Sequence, residues 1–110
     1  MEYNHFSQLL YGNVETLVLK VLDEGSLHAY GIKKLLYTRT NGYLGLTEAR
    51  LYPLLRQLEK SHYISSKQVK SDTGRIVREY SITQAGRGEL SIQLNAWKIF
   101  VRKMNLVLDS

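Results

Sequence analysis

The sequence predicts a mainly α-helical (α+β) fold, and three features of the chain carry this prediction. Apolar residues recur at helical spacing through several stretches, with capping residues near their starts. Two β-prone runs flank the turn-forming cluster at residues 71–74 and predict a hairpin. The final stretch keeps a heptad pattern and predicts a long helix. This order is typical of a winged helix-turn-helix with a two-stranded β-wing and a long C-terminal helix.

The length and charge of the chain indicate a single globular domain with an anionic partner. Its 110 residues suffice for one hydrophobic core, and 44% of them are hydrophobic. The net charge is +5 and the pI about 9.5. Residues 26–82 hold ten Lys and Arg against four Asp and Glu, a balance of +6, and the rest of the chain is close to neutral. This concentration favours nucleic acid over a uniformly solvated basic surface.

Several function classes are disfavoured by what the sequence lacks. There is no cysteine, which excludes disulfides and thiolate metal sites. His5, His28 and His62 have no metal-ligand spacing, and we recognise neither a nucleophile–base pair nor a phosphate-binding loop. We therefore expect neither an enzyme nor a metal or other cofactor. The chain has no apolar run of membrane-spanning length and no signal-peptide pattern, so we expect a soluble cytoplasmic protein.

Two short helices are predicted before the helix at residues 47–60. Asn13 is a candidate N-cap for the first, whose apolar stripe ends at Gly25. The second begins near His28, which we expect to cap it or pack at its start, and extends to about Arg39. A glycine-containing connection then leads to a third helix, as in a helix-turn-helix.

The third predicted helix, residues 47–60, has one apolar face and one basic face. Thr47 is its candidate N-cap, and Pro53 should bend its first turns or make them partly 3₁₀. The apolar stripe consists of Leu51, Leu55 and Leu58, and the outer face carries Ala49, Arg50, Pro53, Arg56 and Lys60. A basic hairpin follows directly, and this combination predicts DNA binding.

The terminal helix, which Thr83 caps, predicts a symmetric homodimer. Its heptad seam and a second apolar set give a wider apolar surface than one domain core can easily cover. The alternative is a helix folded back on its own domain. We therefore divide one compact unit into a DNA-binding part, residues 1–82, and a C-terminal dimerisation helix, residues 83–110. The predicted interface consists of Phe6, Leu9, Leu10, Leu90, Leu94, Trp97, Val101, Met104 and Leu108.

The predicted DNA contacts divide into base reading and phosphate neutralisation. The third helix should enter the major groove, with Arg50 as the best candidate for a base contact. Arg75 at the wing tip is placed to enter the adjacent minor groove. Most of the affinity should come from counterion release. The full predicted set is Lys33, Lys34, Thr47, Glu48, Arg50, Arg56, Lys60, Lys67, Lys70, Arg75 and Arg78.

The order of motifs resembles the PadR family of transcriptional regulators. The matching segments are LVLKVLDEGSLHAYGIKKLL (17–36), LTEARLYPLLRQLEKSHYISS (46–66), GRIVREYSITQAG (74–86) and the terminal helix with Trp97. The resemblance covers nearly all of the chain. It implies a cytoplasmic dimeric repressor that binds an inverted-repeat operator through a winged helix, and a dimer formed by the N- and C-terminal helices. The short chain resembles the subfamily with a single C-terminal dimerisation helix.

The chain departs from the family pattern at several positions. The family usually has glycine where Ala29 stands, and a glycine and an aliphatic residue where His62 and Tyr63 stand. The wing has Ile76 and Val77 between its arginines and is less arginine-rich than usual. These differences affect DNA preference more than fold.

Alternatives to a plain repressor remain open at this point. Some family members release DNA on binding a small aromatic or drug-like molecule. The resemblance therefore makes Trp97 and Phe100 candidate ligand residues, although the role we favour for Trp97 is to fill the dimer interface. A winged helix used as a protein–protein adaptor would need a neutral or apolar outer face. A ligand sensor with secondary DNA contact would need a sizeable pocket.

Overall fold

The computed structural model describes residues 9–10 and 12–110, and its elements follow the predicted order. Leu9 and Leu10 are helical, whereas Phe6 lies outside the described residues. The helix-turn-helix, the hairpin and the long terminal helix are all present. The elements are α1 (Val14–Asp23), β1 (Leu27–His28), α2 (Ala29–Arg39), α3 (Glu48–Lys60), β2 (Ile64–Lys70), β3 (Ile76–Ile82) and α4 (Gln84–Leu108).

The helices bury their apolar stripes against one face of the sheet. The predicted leucine stripe of α3 is almost fully buried, and each such leucine contributes about 2 kcal/mol of burial free energy. α3 is α-helical throughout, including Pro53, so the expected 3₁₀ geometry is absent from it. The buried core consists of Val18, Leu19, Val21, Leu22, Ala29, Ile32, Leu36, Leu44, Leu46, Leu51, Leu55, Leu58, Ile64, Tyr80, Ile82 and Leu90.

The sheet has three antiparallel strands in the order β1-β3-β2. β2 and β3 form the predicted hairpin, with Ile64 opposite Ile82 and Lys70 opposite Ile76. The two-residue β1 extends the predicted two-stranded wing, because Leu27 pairs with Tyr80 on the other edge of β3. This added strand ties the start of α2 to the base of the wing.

Side-chain caps fix the starts of three helices. The Thr47 hydroxyl accepts from the Arg50 N–H at 3.3 Å, and Nδ1 of His28 accepts from the Gly31 N–H at 3.0 Å. The Thr83 hydroxyl accepts from the Gly86 N–H at 3.0 Å. These three caps confirm the sequence predictions. Asn13 occupies the N-cap position of α1, but its amide group instead donates to the Leu9 carbonyl oxygen at 3.0 Å.

The end of α3 and the start of α4 meet through their backbones. His62 has a φ of 64°, and the N–H groups of His62 and Tyr63 donate to the carbonyls of Glu59 and Leu58, as in a Schellman motif. The Thr83 hydroxyl then donates to the His62 carbonyl oxygen at 2.7 Å. His62 therefore has a left-handed backbone conformation that glycine adopts more readily.

Gly86 allows α4 to approach this turn closely. A Cβ atom at Gly86 would lie 2.0 Å from the Tyr63 carbonyl oxygen and 2.8 Å from the Ile82 side chain. At Gly88, by contrast, no described atom comes within 4 Å of such a Cβ. Glycine is therefore required at the first position by packing and is only a weak helix former at the second.

α4 packs on the domain through its first half and extends beyond it through its second half. Its 25 residues make a helix about 37 Å long. Leu90 is 4% exposed within the core, and Leu94 packs against the core, whereas Leu108 is 67% exposed. The first half of α4 thus folds back onto its own domain, which was the alternative in the sequence analysis, and the second half extends from it. In the described residues, no helix is both long and apolar enough to cross a bilayer.

Candidate nucleic-acid interface

The outward face of α3 is polar and basic, as predicted. Arg50, Arg56 and Lys60 are exposed, together with Gln57, and the face opposite them carries the buried leucines. Glu48 is exposed in the first turn, where its charge complements the helix dipole. The exposed side chains follow helical spacing, so they lie along one side of α3. This side has the dimensions and charge of a helix that enters a major groove.

Strand alternation determines which wing residues share the α3 side of the sheet. Ile64, Tyr80 and Ile82 mark the core side, because all three are buried. Lys70 and Arg78 have the same parity as these residues and therefore lie on that side. Lys67 has the opposite parity and is paired with Glu79 on the other side. Of the predicted wing cations, Lys67 is thus turned away from α3 and faces an acid across the strands.

The wing tip is a tight turn that presents an exposed cation. The Ser71 N–H donates to the Arg75 carbonyl oxygen at 2.7 Å, and Gly74 has a φ of 83°. Arg75 is exposed, and Ile76 beside it is 68% exposed. The position of Arg75 at the turn agrees with the placement expected for a minor-groove contact.

Arg78 differs from the other predicted DNA contacts because its guanidinium already has a protein partner. Its Nη1 atom donates to the Ser66 hydroxyl at 2.9 Å, and that hydroxyl donates to the Glu59 carboxylate at 2.7 Å. The sequence analysis missed Glu59 and Ser66. The period-2 alternation could have placed Ser66 and Arg78 on one side of the hairpin, but the contact with α3 depends on tertiary packing.

The cations of α2 have different surroundings. Lys34 is exposed and Lys33 is half-buried. Arg39 donates from both terminal nitrogens to the Glu24 carboxylate, which lowers the pKa of Glu24, chiefly through this hydrogen bond. The same bond raises the pKa of Arg39. Arg39 thus joins the ends of α1 and α2, and its charge is neutralised by its partner.

The tyrosines near this interface occupy different environments. Tyr80 is buried, and this burial is the main reason that the pKa of its hydroxyl is raised. Tyr52 and Glu59 also raise this pKa, whereas the positive charges of Arg78 and Arg56 lower it. Tyr63 packs against the core at its edge. Tyr52 is 39% exposed on α3, where it borders the basic face. Tyr52 is therefore an additional surface residue of the reading helix.

The exposed half of α4 carries aromatic and aliphatic side chains. Trp97 and Phe100 lie with ring centroids 5.8 Å apart, and about half of each side chain is exposed. In the part of the chain that the structure describes, an open groove beside Trp97 is lined by residues of α4 and the two that follow it. The other exposed apolar residues of this helix are Ile92, Ile99, Met104, Leu106, Val107 and Leu108.

The fold and its basic face define a DNA-binding winged-helix protein. The sequence model of the transcriptional regulator PadR-like family matches residues 18–92, which is more than half of the chain. The chain therefore belongs to the PadR family of transcriptional regulators, and the resemblance described above is confirmed. The family consists of regulators rather than enzymes, which agrees with the expectation from the sequence.

Solved structures of bacterial regulators have the same architecture. A transcriptional regulator from Clostridium thermocellum is 28% identical, with 89% of this chain and 95% of that chain covered and a TM-score of 0.81. A PadR family transcription regulator from Clostridium difficile is 25% identical, with 86% and 97% covered and a TM-score of 0.75. A PadR-like transcriptional regulator from Bacillus cereus, 23% identical, has a TM-score of 0.82 over 94% and 98% of the two chains, a likeness of fold.

Proposed function

We propose that the protein is a sequence-specific repressor that binds an inverted-repeat operator as a homodimer. The observation that carries this proposal is the outward face of α3, where Arg50, Arg56 and Lys60 are exposed beside the basic wing. A regulator whose reading helix presents arginines along one side can hydrogen-bond guanine in the major groove. The neutral outer face that a protein–protein adaptor would need is not found on α3.

Arg50 reads a base in this proposal, and Lys70 neutralises phosphate. Arg50 lies in the first turn of α3, whose N-terminal residues reach base edges in helix-turn-helix proteins. Lys70 lies near the wing tip on the α3 side of the sheet. The two residues should therefore differ in how their loss affects sequence preference and salt dependence.

The test is a binding selection from a random duplex library, followed by titrations over several salt concentrations. We expect the wild-type chain to recover an inverted repeat. Arg50→Ala should cost about 1–3 kcal/mol on that repeat and relax the preference at one position of each half-site. Lys70→Ala should weaken all sequences alike and reduce the salt slope by about one. Identical behaviour of the two variants would contradict this division of labour.

The homodimer is supported by the apolar surface that the second half of α4 leaves exposed. Trp97, Met104 and Leu108 lie on one helical line, and each is at least 42% exposed in the single chain. An exposed apolar seam of this length is typical of a helix that packs against a second copy. Leu90 is buried in its own domain, so little of its surface is left for a partner. The proposed seam therefore begins at Leu94.

A ligand-responsive repressor is a second candidate, supported by the Trp97–Phe100 pair. Two half-exposed aromatic rings 5.8 Å apart offer a stacking surface for a planar molecule if a second copy completes the enclosure. Because the chain has one tryptophan, its fluorescence reports this position directly. Saturable quenching by planar aromatic compounds, with weaker DNA binding in their presence, is the expected result. No quenching across a broad panel would leave Trp97 a packing residue.

A further inference from the structure

A chain of hydrogen bonds joins the reading helix to both strands of the wing. The Ser66 hydroxyl donates to Oε2 of Glu59 at 2.7 Å and accepts from Nη1 of Arg78 at 2.9 Å. It therefore acts as donor and acceptor at the same time, between groups of opposite charge. Hydrogen bonds with a charged partner are the stronger kind in proteins, and both bonds here have one.

The three residues belong to three different elements. Glu59 lies in the last turn of α3, Ser66 in β2 and Arg78 in β3. Glu59 and Ser66 are both half-buried, so water competes with their hydrogen bond less than it would at an open surface, whereas Arg78 is exposed. The link connects α3 and the wing, the two elements that are expected to touch DNA in different grooves.

Tyr80 neighbours this link in the sheet. It is the strand partner of Ser66, and its side chain is buried on the same side of the sheet. Burial raises the pKa of its hydroxyl, and the charges of Glu59 and Arg78 act on that pKa in opposite directions. Both charged groups are thus close enough to the Tyr80 hydroxyl to act on its pKa.

We propose that Glu59, Ser66 and Arg78 are positioning residues that fix the wing at a set distance from α3, and that Arg78 acts through this link rather than as a phosphate contact. The inference rests on the proposed function, since the distance matters only if both elements bind one duplex. A specific complex needs two grooves engaged together, whereas general attraction to phosphates does not. Loosening the wing should therefore reduce specific binding selectively.

The first experiment compares Ser66→Ala with Ser66→Thr. Binding is measured by fluorescence anisotropy to the best duplex that the wild-type chain selects from a random library, and to poly(dI-dC). Removing the hydroxyl should weaken binding to the selected duplex about tenfold, the effect of one hydrogen bond with a charged group. Binding to poly(dI-dC) should not change. Ser66→Thr retains a hydroxyl on a β-branched residue suited to a strand and should bind like the wild type.

The second experiment compares Arg78→Gln with Lys70→Gln. Both variants lose one positive charge from the same side of the same hairpin. Lys70→Gln should weaken both DNAs and reduce the salt slope by about one. Arg78→Gln should weaken only the selected duplex and leave the salt slope at the wild-type value. A salt slope that falls equally in the two variants would overturn the proposal and make Arg78 a phosphate contact.

Thermal unfolding of each variant separates positioning from plain stability. If Ser66→Ala lowers the melting temperature but retains the wild-type ratio of selected to non-specific affinity, the link is structural and the proposal is overturned. A wild-type chain that selects no duplex sequence would remove the proposed function together with this role. If only the proposed link fails, the wild type still selects a sequence. The salt slope then falls equally in Arg78→Gln and Lys70→Gln.

Discussion

The two ends of α4 differ in what their apolar residues touch. At the first end, Gly86 is pressed against the α3–β2 turn, and Leu90 is 4% exposed in the core. At the second end, Leu106 and Leu108 are 65% and 67% exposed. One helix thus has an end that belongs to the domain and an end that is available to another surface. Helical periodicity therefore identifies the apolar faces of a helix, but it does not tell whether the chain's own domain or another surface covers them.

The strongest test of this difference is the pair of glycines at the packed end. Gly86→Ala would force a Cβ to 2.0 Å from the Tyr63 carbonyl oxygen, so the backbone must move. We expect a loss of about 3 kcal/mol in the free energy of unfolding, or failure to fold. Gly88→Ala is the matched control and should stabilise α4 by up to about 1 kcal/mol. Urea unfolding measures both, and equal effects at the two positions would contradict the close approach.

A leucine from each end of α4 provides the next test. Leu90→Ala should reduce the free energy of unfolding by about 2–3 kcal/mol, because it leaves a cavity in the core. Leu108→Ala should leave the unfolding of the dissociated chain unchanged and instead raise the dimer dissociation constant. Analytical ultracentrifugation over a dilution series measures the association, and urea unfolding at low protein concentration measures the stability. A Leu108→Ala variant that associates like the wild type would exclude this residue from the proposed seam.

A smaller effect of opposite sign is expected at the turn on which α4 rests. His62 has a φ of 64°, which glycine adopts without the steric penalty that a Cβ brings. His62→Gly should therefore raise the free energy of unfolding by about 0.5–1 kcal/mol. Asn41→Gly is the control, since Asn41 also has a positive φ, 54°, but asparagine tolerates this region. A His62→Gly chain that is no more stable than the wild type would mean that the imidazole makes a compensating contribution.

The smallest expected effect concerns the Arg39–Glu24 ion pair between the ends of α1 and α2. The pKa of Glu24 is lowered by its hydrogen bond to Arg39, so the folded chain holds this carboxylate charged at lower pH than the unfolded chain does. The pair therefore stabilises the fold above the ordinary pKa of 4.5, and this contribution is lost as pH falls through the lowered value. Melting temperatures at pH 6 and pH 3.5 should fall slightly further apart in the wild type than in Glu24→Gln. Equal differences would show that the exposed pair contributes nothing.

Local chemistry made much of the fold predictable. The caps at Thr47 and Thr83 depend only on a hydroxyl and the next few backbone N–H groups, so the sequence alone reveals them. The leucine stripe of α3 similarly depends on spacing within one helix. Such features were correctly predicted because each is decided within a few residues of the chain.

Features that depend on contacts between distant residues were not predictable in the same way. The two-residue β1 exists because Leu27 meets Tyr80, 53 positions later. Helix propensity alone makes Gly86 a weak helix position, whereas the close approach of the Tyr63 backbone requires glycine there. Arg78 was predicted as a DNA contact without its hydrogen bond to Ser66, because that bond depends on the register of the hairpin. In each of these cases, tertiary packing adds a constraint that single-sequence patterns do not contain.

The shape of α4 gives it the properties of a lever arm. The helix is about 37 Å long, and among the described residues its first half packs on the domain while its second half extends beyond it. A tilt of about 5° at its base displaces its tip by about 3 Å, roughly the spacing of one DNA base pair. The fit between Gly86 and the Tyr63 carbonyl therefore sets the spacing on a duplex of the two DNA-binding parts in the proposed dimer, in which the α4 tips would be joined.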